Sequence, residues 1–183
     1  REKTDNKFWT WEHYPFTHRS TFTPFYFPHA IAQGIRSMQD TYFGEFIEAP
    51  IGPFKERGHG LHAPGFGHLN FYVTGRFQWH AERDVDALLN EYYDLFYGPA
   101  ADEMKAFIEY SEANRQDLRR DVEKIKKTLS LLDAAAAAVE PKSVYGQRVS
   151  LVVDYLKQLR GWHDQLKRGR ENVPEIDAPV RTG

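Results

Sequence analysis

Between Lys7 and Pro50 the chain crowds indoles, phenols, an imidazole and carboxylates onto two short β-prone runs. The first is Phe8-Trp9-Thr10-Trp11-Glu12-His13-Tyr14. The second is Tyr42-Phe43-Gly44-Glu45-Phe46-Ile47-Glu48, stopped by Pro50. Flat rings stack on pyranose faces, and carboxylates accept hydroxyl hydrogen bonds or exchange protons. The chemistry such a set suits is carbohydrate binding. In a β/α protein, ligand contacts gather where strands end. The candidate substrate-binding residues are therefore Trp11, Glu12, His13 and Tyr14 at the end of the first run, and Glu48 at the end of the second.

Alternation along a strand puts Trp9 and Trp11 on one face. Both could form a sugar-stacking wall or barrel or interface core; Trp11, beside the loop, keeps both readings, and Trp9 reads as barrel or interface core. Glu12 reads as a ligand for substrate hydroxyls, as a group tuning a partner carboxylate, or as a plain exposed acid. Glu45 and Glu48 are three residues apart, so they face opposite sides unless a bulge intervenes. Glu48 is the site candidate; Glu45 is expected to be a structural partner for Arg36 or Arg76. A retaining glycosidase needs its two carboxyl groups about 5–5.5 Å apart and an inverting one about 6.5–9.5 Å. Glu12 and Glu48, on adjacent strand ends, fall within reach of such distances.

Other constellations carry less. His59, His62 and His68 invite a metal reading, but zinc needs three or four ligands of defined geometry. Glycine-rich neighbours and the lack of cysteine favour a loop that contacts substrate, or plain loop chemistry. Gly65-Phe66-Gly67 lacks the Lys-Ser/Thr of a phosphate loop. Asn70 and Arg76 are expected to brace the fold. Arg119, Arg120, Lys124, Lys126 and Lys127 alternate with acids and apolar residues and read as a solvated face. The net charge of −2 and pI of about 6.5 argue against nucleic acid as the main partner. No apolar run approaches the roughly 20 residues of a membrane span. Since the chain begins at Arg1, it reads as the tail of a longer protein whose signal sequence, if present, lies upstream. A parent carrying one would be secreted or periplasmic.

The elements that must position these residues divide into two halves. Residues 1–80 are rich in aromatics, His, Gly and Pro; residues 84–170 are rich in Ala, Leu, Glu, Lys and Arg. In the first half, Pro28 opens a helix to about Asp40 with Ile31, Ile35 and Met38 on one face. Ala49–Gly67 holds five Gly and three Pro and reads as a long loop. A helix then starts at Gly67 or His68. In the second half Asp84 is an N-cap. Val85, Leu88, Leu89, Tyr92, Tyr93 and Phe96 form one stripe, and Gly98-Pro99 ends that helix. Leu118, Val122, Ile125, Leu129 and Leu132 form a coiled-coil-like seam, and Tyr145, Val149, Val152, Leu156 and Leu159 form another. With Pro141 as the break and Ser143 as a cap, these predict an antiparallel hairpin docked on the 84–97 helix, a three-helix bundle.

One segment carries a family resemblance. It comprises His68-Leu69-Asn70-Phe71-Tyr72-Val73, Trp79, Asp84-Val85-Asp86-Ala87-Leu88-Leu89, Tyr92-Tyr93 and Phe96-Tyr97-Gly98-Pro99-Ala100-Ala101. It resembles the C-terminal part of bacterial proteins of the domain of unknown function 4838 family, which are similar to glycoside hydrolase family 163, the endo-β-N-acetylglucosaminidases. The resemblance spans residues 7 to about 115. It implies that residues 1–83 are the last two β/α units of a (β/α)8 barrel, residues 84–170 a C-terminal three-helix bundle, and residues 171–183 a flexible tail. The whole would be an α/β remnant plus an all-α part, predominantly helical. A full barrel takes about 250 residues, so the N-terminal remainder of the parent barrel is the implied protein partner. The implied activity is glycosidic bond hydrolysis on glycans containing N-acetylglucosamine, retaining, with the substrate's N-acetyl group assisting. The principal catalytic carboxylate would lie on an earlier strand, outside this chain, and no cofactor is implied. The competing reading is a non-catalytic helical support or interaction module.

Overall fold

A computed structural model describes residues 7–12, 22–47 and 64–169. The opening is strand, helix, strand: β1 (Phe8–Glu12), α1 (Pro28–Met38) and β2 (Tyr42–Ile47). The two strands pair in parallel, which demands a crossover between them, and α1 supplies it. Trp9 lies opposite Gly44, Thr10 opposite Glu45 and Trp11 opposite Phe46, with a register shift between Phe8 and Trp9. Among the described residues the sheet has these two strands, and the other elements are helices. The helices are α2 (Pro64–Trp79), α3 (Val85–Tyr97), α4 (Ala101–Asn114), α5 (Val122–Ala137), α6 (Val144–Tyr155) and α7 (Lys157–Lys167). The chain is thus predominantly helical.

Local signals set most boundaries. Pro28 occupies the first turn of α1, whose Ile31, Ala32 and Ile35 are buried. The Asp84 carboxylate accepts from the backbone N–H groups of Asp86 and Ala87 and caps α3. Gly98 ends α3 with φ of 52°, a left-handed turn that favours glycine. A single 3-10 turn, Gly98–Ala100, then leads into α4. The Ser143 hydroxyl accepts from the Gly146 N–H and caps α6.

Three boundaries differ from the sequence expectation. Helix α2 starts at Pro64, so Gly65 and Gly67 are helical. Packing overrides their weak helix propensity. Phe66 is fully buried, edge-on to Tyr26 and Tyr155, and a Cβ on Gly65 would lie 2.6 Å from the Val152 side chain. Only glycine lets α2 pass this close to α6. The seam from Leu118 to Leu132 does not belong to one long helix. The chain turns over residues 115–121, Leu118 is buried inside the turn, and Asp121 caps α5 through the Lys124 N–H. Helices α4 and α5 pack against each other across that turn. Likewise Leu156 separates α6 from α7 while remaining buried. The spacing of the apolar residues survives both breaks, because a buried turn residue satisfies the same core as a helical one.

One continuous core runs from Phe22 to Trp162. The segment 22–27, which has no regular structure, threads between helices. Phe22 meets Trp162 edge-on at 5.8 Å, and Tyr26 meets Phe66 at 4.7 Å and Phe107 at 6.0 Å. The fully buried Asn70 of α2 ties this segment down. Its side-chain amide donates to the Phe25 carbonyl at 3.0 Å, and its Oδ1 accepts from the Phe27 N–H at 3.5 Å. Bracing is thus the role the structure gives Asn70. Asn70→Ala is expected to strand a buried carbonyl and cost about 1–3 kcal/mol. The measurement is the urea midpoint against wild type; an unchanged midpoint would mean that water replaces the amide.

Candidate functional site

The two strands display an aromatic surface. Trp9 is 65% exposed, Trp11 61%, Phe43 70% and Phe46 58%. Trp9, expected as barrel or interface core, is thus left uncovered by the described residues: alternation fixes which side of the strand a residue takes, but not what covers that side. Trp11 and its cross-strand partner Phe46 meet edge-on, with ring centroids 5.6 Å apart. Trp9 tilts against Phe43 at the same separation. Thr10 and Glu45 pair across the sheet on the opposite face. The Glu45 carboxylate accepts from the Gln78 side-chain amide at 2.9 Å, which links β2 to α2.

Glu45 is expected to partner an arginine such as Arg36 or Arg76, and both guanidinium groups also make contacts of their own. Arg36 donates to the carbonyls of Ala81 at 3.1 Å and Arg83 at 3.0 Å and lies over the Phe77 ring. Arg76 donates to the Tyr72 hydroxyl and pairs with Glu91. Arg76 is thus a brace between α2 and α3.

A groove of about 570 Å³ opens where the strands begin. Trp9, Phe43, Gly44 and Glu45 form its sheet side, Ile35 and Gln39 come from α1, and Phe77, Gln78 and Trp79 come from the end of α2, followed by His80 and Ala81. Trp79 is 92% exposed. Three exposed rings beside a carboxylate, an amide and an imidazole make a surface that can stack on an apolar ring face and hydrogen-bond to its rim. Sequence reasoning placed Trp79 on its helix but did not bring it to Trp9 and Phe43, since 70 residues separate the two tryptophans.

Of the site residues read from the sequence, the structure places Trp11 on the exposed face of β1 and Glu12 at the end of that strand. His13, Tyr14 and Glu48 lie outside the described residues, as do His59, His62 and the tail from 171. His68 is described. Its Nδ1 lies 3.0 Å from the Tyr92 hydroxyl, and its ring stacks on Phe96 at 4.4 Å. The Arg148 guanidinium covers the same Phe96 ring at 4.5 Å and donates to the Phe96 carbonyl at 2.8 Å. Burial, and then the Arg148 charge, lower the His68 pKa from its ordinary value. This imidazole is a packing element on α3. Among the described residues no group of three His, Asp or Glu side chains is disposed to hold a metal ion.

Tyr26, Tyr92, Tyr93 and Tyr97 cluster in the core, and burial pushes all four phenols far above their ordinary pKa. They are neutral at any physiological pH and serve packing rather than proton transfer. No described helix is long and apolar enough to cross a membrane. Comparison with protein-family models, with curated proteins and with solved structures finds no match.

The His68 stack yields a prediction. Arg148→Gln removes the charge but not the burial, so the His68 pKa is expected to rise part of the way back toward the free value. An imidazole titration by NMR checks it; no movement would mean that the guanidinium does not influence this ring.

Proposed function

We propose that this chain is the C-terminal part of a glycan-processing glycoside hydrolase and that its exposed β1–β2 aromatic face contacts the sugar. The observation that carries the reading is the set of exposed rings, Trp9, Trp11, Phe43 and Phe46, on a parallel two-stranded sheet. A β-α-β-α order ahead of a helical part supports the same assignment, because it is the order that two late barrel units would have. So does the resemblance of residues 7 to about 115 to the endo-β-N-acetylglucosaminidase-like family. In this reading Trp11, Glu12, His13, Tyr14 and Glu48 bind substrate, N-acetylglucosamine-containing glycans are the substrate class, and the principal catalytic acid belongs to the preceding part of the barrel. This chain by itself is inactive.

A second reading rests on the same rings. Four exposed aromatics, on a sheet whose two outer edges meet no further described strand, suit burial against a neighbouring domain. The chain would then be a helical support module.

Assay of the longer parent on N-acetylglucosamine-containing glycans separates the two. Sugar contact predicts that Trp11→Ala raises KM and lowers kcat/KM by about tenfold, in line with about 0.5–1.5 kcal/mol for a ring contact beyond its area. Glu12→Gln is expected to act in the same direction. Wild-type kinetics in both variants, accompanied by a lower unfolding temperature for Trp11→Ala, would favour the support module.

A further inference from the structure

A second surface has a different chemistry. Helix α1 starts without a side-chain cap of its own: its N-cap is Phe27 and its first turn holds no acid. The missing acceptor comes from another helix. Glu112 of α4 accepts from the His29 backbone N–H at 3.1 Å through Oε1, and its Oε2 lies 2.7 Å from His29 Nδ1. The other ring nitrogen, Nε2, lies 3.2 Å from the Asp86 carboxylate in the first turn of α3. One imidazole thus stands between two carboxylates on two different helices.

We infer that His29 is a proton-operated latch that fastens the start of α1, and with it the β1–α1–β2 unit, to α3 and α4. A neutral imidazole carries one N–H and can donate to one of the two carboxylates. Its bare nitrogen then faces an acceptor and the contact becomes repulsive. Only the imidazolium satisfies both sides. Around His29 a groove of about 830 Å³ is lined by Asp86 from α3, Glu109 and Glu112 from α4, and Arg115 and Asp117 from the turn that follows. Of these charged groups four are acidic and one is basic. Helix α2, the other neighbour of α1, lends no residue to this groove. The positive end of the α1 dipole opposes protonation of His29, and the two contacting carboxylates oppose that effect.

Partial burial by itself lowers the His29 pKa; the Glu112 and Asp86 contacts outweigh it and hold the group above its ordinary value. A raised folded-state pKa means that the latch contributes fully below the unfolded value of about 6.5 and is lost as pH rises through the folded value. The ring is 43% exposed and Asp86 75% exposed, so water screens the effect.

The experiment follows thermal unfolding of the full chain between about pH 5.5 and about pH 8.5, the range in which histidine titrates. Wild type is expected to lose about 1–3 °C of Tm more than Asp86→Asn over this interval. The asparagine amide can donate to a neutral imidazole nitrogen, so that variant holds the contact without a proton. His29→Asn is expected to lose the pH-dependent increment as well, at lower stability throughout. NMR titration supplies an independent readout: the His29 ring should titrate above free histidine in wild type and move down in Asp86→Asn. A His29 titration at or below the free value, or equal Tm slopes in wild type and Asp86→Asn, would overturn the latch.

Discussion

The arrangement of the N-terminal half depends on one buried amide. Asn70 holds the segment 22–27 against α2 by bonding to two of its backbone groups, and that segment has no ladder or helix of its own to satisfy them. A buried irregular strand of backbone is tolerable only where side chains supply the partners. With residues 22–27 fixed, Phe22 and Tyr26 enter the core among α2, α4 and α7, and the chain reaches Pro28 at a defined place and direction. The start of α1 is thereby set, and through α1 the crossover that brings β2 beside β1. A parallel pair has no tight turn to organise it. Its geometry is inherited from how the helix between the strands is held. The Glu112 carboxylate does the same work at the next residue along, by accepting the first free N–H of α1.

What was legible in the sequence was local. Asp84 and Ser143 as caps, Gly98-Pro99 as a stop, Pro28 as an opener and the stripe from Val85 to Phe96 all depend on residues within a few positions of one another, and each stands where its chemistry suggests. The strand–helix–strand order of the opening was legible for the same reason. The breaks at 115–121 and at Leu156 were not, because Leu118 and Leu156 keep the apolar rhythm while leaving the helix. A signal for the first was present: Asp121 stands three residues before Lys124, the spacing of an N-cap. The helical fate of Gly65 was hidden in a contact with Val152, far along the chain.

The candidate site was legible in type and less so in place. Alternation put Trp9 and Trp11 on one face, and the pairing of Trp11 with Phe46 agrees with that. The groove that joins Trp9 and Phe43 to Gln78 and Trp79 depends on where α2 ends relative to β2, which no local pattern encodes. The His29 contacts span 57 and 83 positions and leave no trace in spacing at all. Such polar contacts between distant helices are set by the packed fold alone.

The parallel pairing of β1 and β2 has a geometric corollary. In a parallel pair the outer edge of the first strand and the outer edge of the second are different surfaces, and they run in the same direction. A copy of the chain that met this one edge to edge would place its β2 beside the first copy's β1, again in parallel. That operation is head to tail, and unless its rotation closes a ring it repeats without end. Among the described residues no further strand shields these rims, so nothing in the two-stranded sheet itself limits such templated growth.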